Sequence, residues 1–242
     1  MKLILAGTIA TGLVIVSSVL LILPIYLPSE KPELVMLAFD ITNEENLPNW
    51  CTELSQYLKQ NNINAAVFLP GHIAEKYPQC VSLFHKGVDV GSQTYTFVNL
   101  SKISDYSIQL AEVKNGKHAV DQAGNLNTKL FKAPYGSTDE NIYSILSKSG
   151  ILADFSYENQ YNKFYQNQFI KFESLSYNSS QIESAISDLQ LVEKPIFINH
   201  NNSISVNEIK EILEELNSQN VRFVNPSQLT GLDLTQKRGP WI

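Results

Sequence analysis

Three side chains of complementary chemistry fall at the ends of apolar runs of strand length: Asp40 closes 34–40, Lys132 lies in 129–134 and His200 closes 195–200. A carboxylate, an ammonium and an imidazole at one mouth form acid–base machinery. Asp40 would take a proton, His200 would give one, and Lys132 would keep Asp40 ionised by holding positive charge beside it. Asp154, the Pro70–His72 turn and the stretches Gln93–Phe97 and Lys132–Gly136 end neighbouring runs. Each residue also has a plainer role. Asp40 suits a loop cap or an ion pair with Lys132, and a strand-end histidine is often only a hydrogen-bonded structural residue. Pro134, Tyr135 and Gly136 supply the fixed and permissive backbone angles of a tight turn. Gln93 suits a sugar contact or a packed amide, and Tyr95 with Phe97 suits an aromatic platform or the core.

These residues converge only if the strands that end on them run parallel. Strands are predicted at 34–40, 64–70, 87–91, 129–134, 151–156, 169–173, 195–200 and 221–225, alternating with amphipathic segments of helix length. That alternation specifies βα units around a mostly parallel sheet or barrel, whose functional residues gather at the C-terminal strand ends. Ser137 with Glu140 and Ser205 with Glu208 have the spacing of capping boxes, Gly150 stops the first of these helices, and a further helix is predicted from about Ser104 to Ala123, ended by Gly124. His85 and His118 read as helix-surface residues, and 231–242 reads as a loosely held tail.

The chain has 242 residues, 43% hydrophobic and 10% aromatic, enough for one α/β domain with a sizeable core. A formal charge of −6 with 18 Lys+Arg and no basic run gives no electrostatic footprint for nucleic acid. Residues 3–27 carry no charge, which is longer than a signal-peptide core, and the run ends in Pro24, Tyr26, Leu27 and Pro28. An uncleaved anchor is predicted over 1–28. Lys2 precedes it and Glu30, Lys31 and Glu33 follow, so the N-terminus is expected in the cytoplasm and the C-terminal domain outside, in a single-pass arrangement. The division is then anchor 1–28, linker 29–33, domain 34–229 and tail 230–242. Outside the cell Cys51 and Cys80 are able to bridge, but Cys51 also continues the apolar stripe Leu47, Cys51, Leu54, Leu58, so two separate buried thiols fit equally. Asn99, Asn178 and Asn201 head sequons compatible with an exported surface.

Five short stretches, in order, carry a resemblance: 38-AFDIT-42, 93-QTYTF-97, 132-KAPYG-136, 154-DFSY-157 and 198-INH-200. They look like the T-F-D-D-G, H-[ST]-x-x-H, R-x-P-Y-G, acidic-aromatic and L-x-H motifs of the polysaccharide deacetylase family, the NodB-homology domains, which the chain resembles from about Leu34 to Leu229. The resemblance implies a distorted (β/α) barrel. It also implies metal-assisted hydrolysis of an N-acetyl amide on a sugar, by a divalent cation on one aspartate and two histidines. Those ligand positions fall on Ile41, Gln93 and Phe97. The resemblance makes Asp40 the base, His200 the general acid, Asp154 the acid that orients it, and Lys132 the stand-in for an arginine that pairs with the base. It places Tyr135, Gln93 and Tyr95 toward substrate.

The expectation is therefore a degenerate member with no cofactor, unless His72 or His200 belongs to a rebuilt zinc-type site. Its expected role is membrane-anchored binding of a cell-surface glycan or envelope component, or scaffolding. The alternatives are an active N-acetyl hydrolase and an accessory subunit of a membrane-protein complex.

Overall fold

The computed structural model describes residues 31–84, 86–138, 140–156, 175–189 and 195–237. The expected anchor, the expected strand 169–173, His85 and Tyr157 lie outside the described residues. Among the described residues no helix is long and apolar enough to cross a membrane.

The described residues from Pro32 onward form one compact unit. Its strands are β1 (Glu33–Asp40), β2 (Ala65–Leu69), β3 (Val88–Ser92), β4 (Leu126–Thr128), β5 (Leu130–Phe131), β6 (Ala153–Asp154), β7 (Leu175–Asn178), β8 (Ile196–Asn201), β9 (Val221–Phe223) and β10 (Thr235–Lys237). Its helices are α1 (Leu47–Gln60), α2 (Gly71–Lys76), α3 (Gln79–Ser82), α4 (Tyr106–Gly124), α5 (Glu140–Lys148), α6 (Ile182–Leu189), α7 (Val206–Asn217) and α8 (Pro226–Thr230). The strands pair in the order β6-β5-β3-β2-β1-β8-β7 in parallel, and β9 pairs with the start of β1. The result is an α/β fold on a curled parallel sheet, consistent with the expected barrel.

Strand alternation sorts side chains onto two faces. Val35, Leu37, Phe39 and Ile41 of the β1 segment pack with Leu47, Leu54 and Leu58 of α1 and Ile209, Leu213 and Leu216 of α7. Met36 and Ala38 pack instead with Ala66, Phe68, Leu130, Phe155 and Phe197, filling the inner face of the curl. Both faces are buried, which is why the strands read as unbroken apolar runs.

Local signals hold in part. Ser205 and Glu208 form the expected capping box of α7. Asp105, whose side chain accepts from the Ser107 and Ile108 amides, caps α4. The start of α5 adjoins residue 139, which lies outside the described residues, and the Ser137 hydroxyl donates to Asn99 Oδ1. Within the expected tail, residues 231–237 are held in place: β10 pairs antiparallel with β4, and Leu234 is fully buried, while 238–242 lie outside the described residues.

Cys51 and Cys80 form a disulfide with their Cα atoms 5.3 Å apart, tying α1 to α3. The 29-residue separation makes the bridge a restraint on the unfolded chain worth roughly 3–4 kcal/mol. Thermal unfolding with and without reductant checks it: the midpoint is expected to drop by about 10 °C on reduction, and an unchanged midpoint would mean the bridge contributes nothing.

Candidate functional site

The register of β1 against β8 determines which groups meet. Phe39 lies beside His200 and Ala38 beside Asn199. In a parallel pair such neighbours share a face, so Asp40 and Asn199 point to the inner face and His200 points to the helical face with Phe39. The contacts agree. Lys132 Nζ donates to Asp40 Oδ2 at 2.6 Å and to Asn199 Oδ1 at 3.0 Å, and it sits 5.8 Å from the centre of the inner-face Phe68 ring. The His200 ring instead stacks on Phe39, centroids 5.4 Å apart and planes 22° from parallel. The expected trio is therefore not assembled: Asp40 and Lys132 meet as an ion pair, and His200 lies on the other side of the sheet.

Asp154 is likewise not the partner of His200. It is level with Phe131, whose packing is with the α5 side chains Ile142, Ile145 and Leu146. Its Oδ1 accepts from the Ser156 amide at 3.1 Å and from the Ser156 hydroxyl, and Ser156 Oγ in turn accepts from the Ala133 amide at 2.7 Å. Asp154 thus braces the turn that carries Tyr135. Asn199 is the site residue that sequence reasoning missed. The signal was the alternation within 196-IFINHN-201, where Ile196, Ile198 and His200 share a face and Phe197 and Asn199 share the opposite one.

Burial pushes the His200 imidazole down to about 4, so at neutral pH it is uncharged and has no acidic proton to give. Burial pushes the Asp154 carboxyl up to about 7, against the lowering effect of its hydrogen bonds from Ser156. Among the described residues neither His200 ring nitrogen has a hydrogen-bond partner.

The loops at the mouth hold the remaining positions. Gln93 is buried and continues the β3 ladder, its amide donating to Leu69 O at 3.0 Å, and its side-chain oxygen has no partner among the described residues. Tyr95 does not face the mouth: it packs on the helical core, donates to Glu75 at 2.7 Å and crowds Gly71 of α2. His72 Nδ1 lies 2.8 Å from Tyr95 O, an anchoring contact to the loop backbone. Phe97 and Tyr135 both have φ +61°, and their rings meet at 5.4 Å.

The fit of a divalent cation is poor. Ile41 is fully buried in the hydrophobic core, Phe97 offers no lone pair, and the free oxygens of Asp40 and Gln93 amount to one carboxylate and one weak amide donor. Among the described residues no group of three or more His, Cys, Asp or Glu is placed to hold a metal.

The Polysaccharide deacetylase family model matches residues 28–153. A peptidoglycan-N-acetylglucosamine deacetylase of Bacillus cereus is 29% identical over 115 residues, which is 47% of this chain and only 40% of that relative. A chitin deacetylase from the fungus Colletotrichum lindemuthianum superposes with TM-score 0.64 at 17% identity, covering 87% of this chain and 94% of that one. A CE4-family pseudoenzyme from Bacillus anthracis superposes with TM-score 0.61 at 14% identity, covering 84% of this chain and 66% of that one. A mutant of a pseudoenzyme of that family, with restored enzymatic activity, gives the same score.

Proposed function

The chain belongs to the polysaccharide deacetylase family, and from that premise we propose that it is a membrane-anchored, extracytoplasmic member that binds cell-surface glycan without metal-dependent deacetylation. The observation that carries this reading is Ile41, fully buried among Phe39, Leu47 and Trp50 at the position where the family's motif places its metal aspartate. An isoleucine packed there stabilises the β1–α1 junction and gives a cation nothing to bind. Two further features support it. The inner face offers an amide, Asn199, where acid catalysis needs a proton carrier, and Asp40 is tied to Lys132. The left-handed backbone at Phe97 suits histidine better than phenylalanine, as in a loop shaped for a ligand it no longer carries. The glycan is expected to resemble the substrates that the relatives' names state, N-acetylglucosamine polymers.

The test uses the full-length chain in mild detergent. Metal content is measured after incubation with zinc and dialysis, and acetate release from N-acetylglucosamine oligosaccharides is measured with added zinc, cobalt or manganese. No retained metal and no acetate above the blank are expected, while either one in stoichiometric or catalytic amount overturns the reading. The variant carrying Ile41→Asp, Gln93→His and Phe97→His together is expected to retain about one zinc per chain.

A further inference from the structure

We infer that Phe97 and Tyr135 form a stacking platform for one face of a gluco-configured pyranose ring, an inference that rests on the glycan-binding reading above and names its contact. Two bulky aromatic residues with φ +61° are an unfavourable choice for a backbone conformation that favours glycine, and here both occur side by side. Such conformations persist only where the surroundings over-determine them.

The surroundings do so from both sides. Glu112 of α4 grips Thr96, accepting from its amide and its hydroxyl, each at 2.9 Å. Beyond Phe97, Ser137 Oγ donates to Asn99 Oδ1 at 2.7 Å and accepts from the Ser101 amide at 3.2 Å, bolting the loop after β3 to the turn after β5. Ser156 holds the far side of that turn through the Ala133 amide. The rings meet at 5.4 Å with planes 51° apart, and Tyr135 is 72% exposed. Neither ring is needed to fill the core. A rigid pair of an exposed Tyr135 ring backed by a half-buried Phe97 ring matches the flat face of axial C–H bonds of a gluco-configured sugar, and its order is already present before the ligand arrives.

The experiment measures binding of N-acetylglucosamine tetramer, and of its fully deacetylated counterpart, to the full-length chain in mild detergent by calorimetry. Tyr135→Ala and Phe97→Ala are each expected to weaken binding by about tenfold or more, whereas Tyr135→Phe and the exposed-aromatic control Tyr106→Ala, whose ring meets Lys148, stay within twofold of the unaltered chain. Phe97→Gly, which relaxes the backbone, is expected to lose binding while the thermal midpoint does not fall. Unaltered chain that binds neither tetramer overturns the glycan-binding reading itself. Binding that survives in Tyr135→Ala and Phe97→Gly overturns the platform alone.

Discussion

Replacing Lys132 by methionine is expected to lower stability by roughly 3 kcal/mol, and replacing Asp40 by asparagine by clearly less. The asymmetry follows from what each change leaves behind. Without the ammonium, Asp40 keeps a carboxylate whose Oδ1 has no partner among the described residues and whose Oδ2 has lost the Lys132 donor, at a side-chain exposure of only 19%. Without the carboxylate, Lys132 still has Asn199 Oδ1 at 3.0 Å and the Phe68 ring near its head group. The double variant Asp40→Asn with Lys132→Met removes both charges and is expected to recover much of the loss, because a buried pair costs most when half of it remains. Urea unfolding of the four proteins checks the cycle. Equal losses for the two single variants, or simple addition in the double, would show that the pair is solvated and contributes little.

This pair was legible in the sequence, since a strand-end acid and a strand-end base across a parallel sheet need only the fold class to be brought together. The fold class was itself legible because strand-length apolar runs alternate with segments of helical period. The position of His200 was not, although the means were present. A strand buried on both faces shows no apolar-polar contrast, so 196-IFINHN-201 gave no contrast to say which residues faced inward, and a motif match one residue out of phase turns the side chain through the sheet. Asp154 failed for the same reason on a strand of two residues. The bridge between Cys51 and Cys80 was undecidable from an apolar stripe that either a thiol or a half-cystine satisfies. The ordering of the last segment depended on a three-residue pairing, Thr235 to Lys237 against β4, too short to stand out in a polar stretch. Ile41 was read as a lost ligand from the motif alone, and its burial adds the physical reason the position is filled.

The second large effect is on pH, where His200 and Asp154 oppose each other. The His200 imidazole lies at about 4 in the fold against about 6.5 unfolded. Between those values the unfolded chain binds more protons, so its contribution is complete above pH 6.5 and is lost as pH falls toward 4. At about 1.4 kcal/mol per pH unit this is roughly 3 kcal/mol. The Asp154 carboxyl lies at about 7 in the fold against an ordinary 3.8. Here the folded chain binds more protons, so its contribution is complete below pH 3.8 and is lost as pH rises to 7, by roughly 4 kcal/mol. Asp89, also pushed up by burial, acts in the same direction as Asp154. The two large slopes nearly cancel and leave the smaller Asp89 slope, so the unaltered chain is expected to lose only a little stability as pH rises from 4 to 6.5. Single substitutions uncover each slope. Asp154→Asn should become more stable as pH rises from 4 to 6.5, and His200→Gln should become less stable over the same range. Urea midpoints at half-unit pH intervals decide the matter, because two variants that both keep the flat profile would mean that neither group is desolvated as its burial implies.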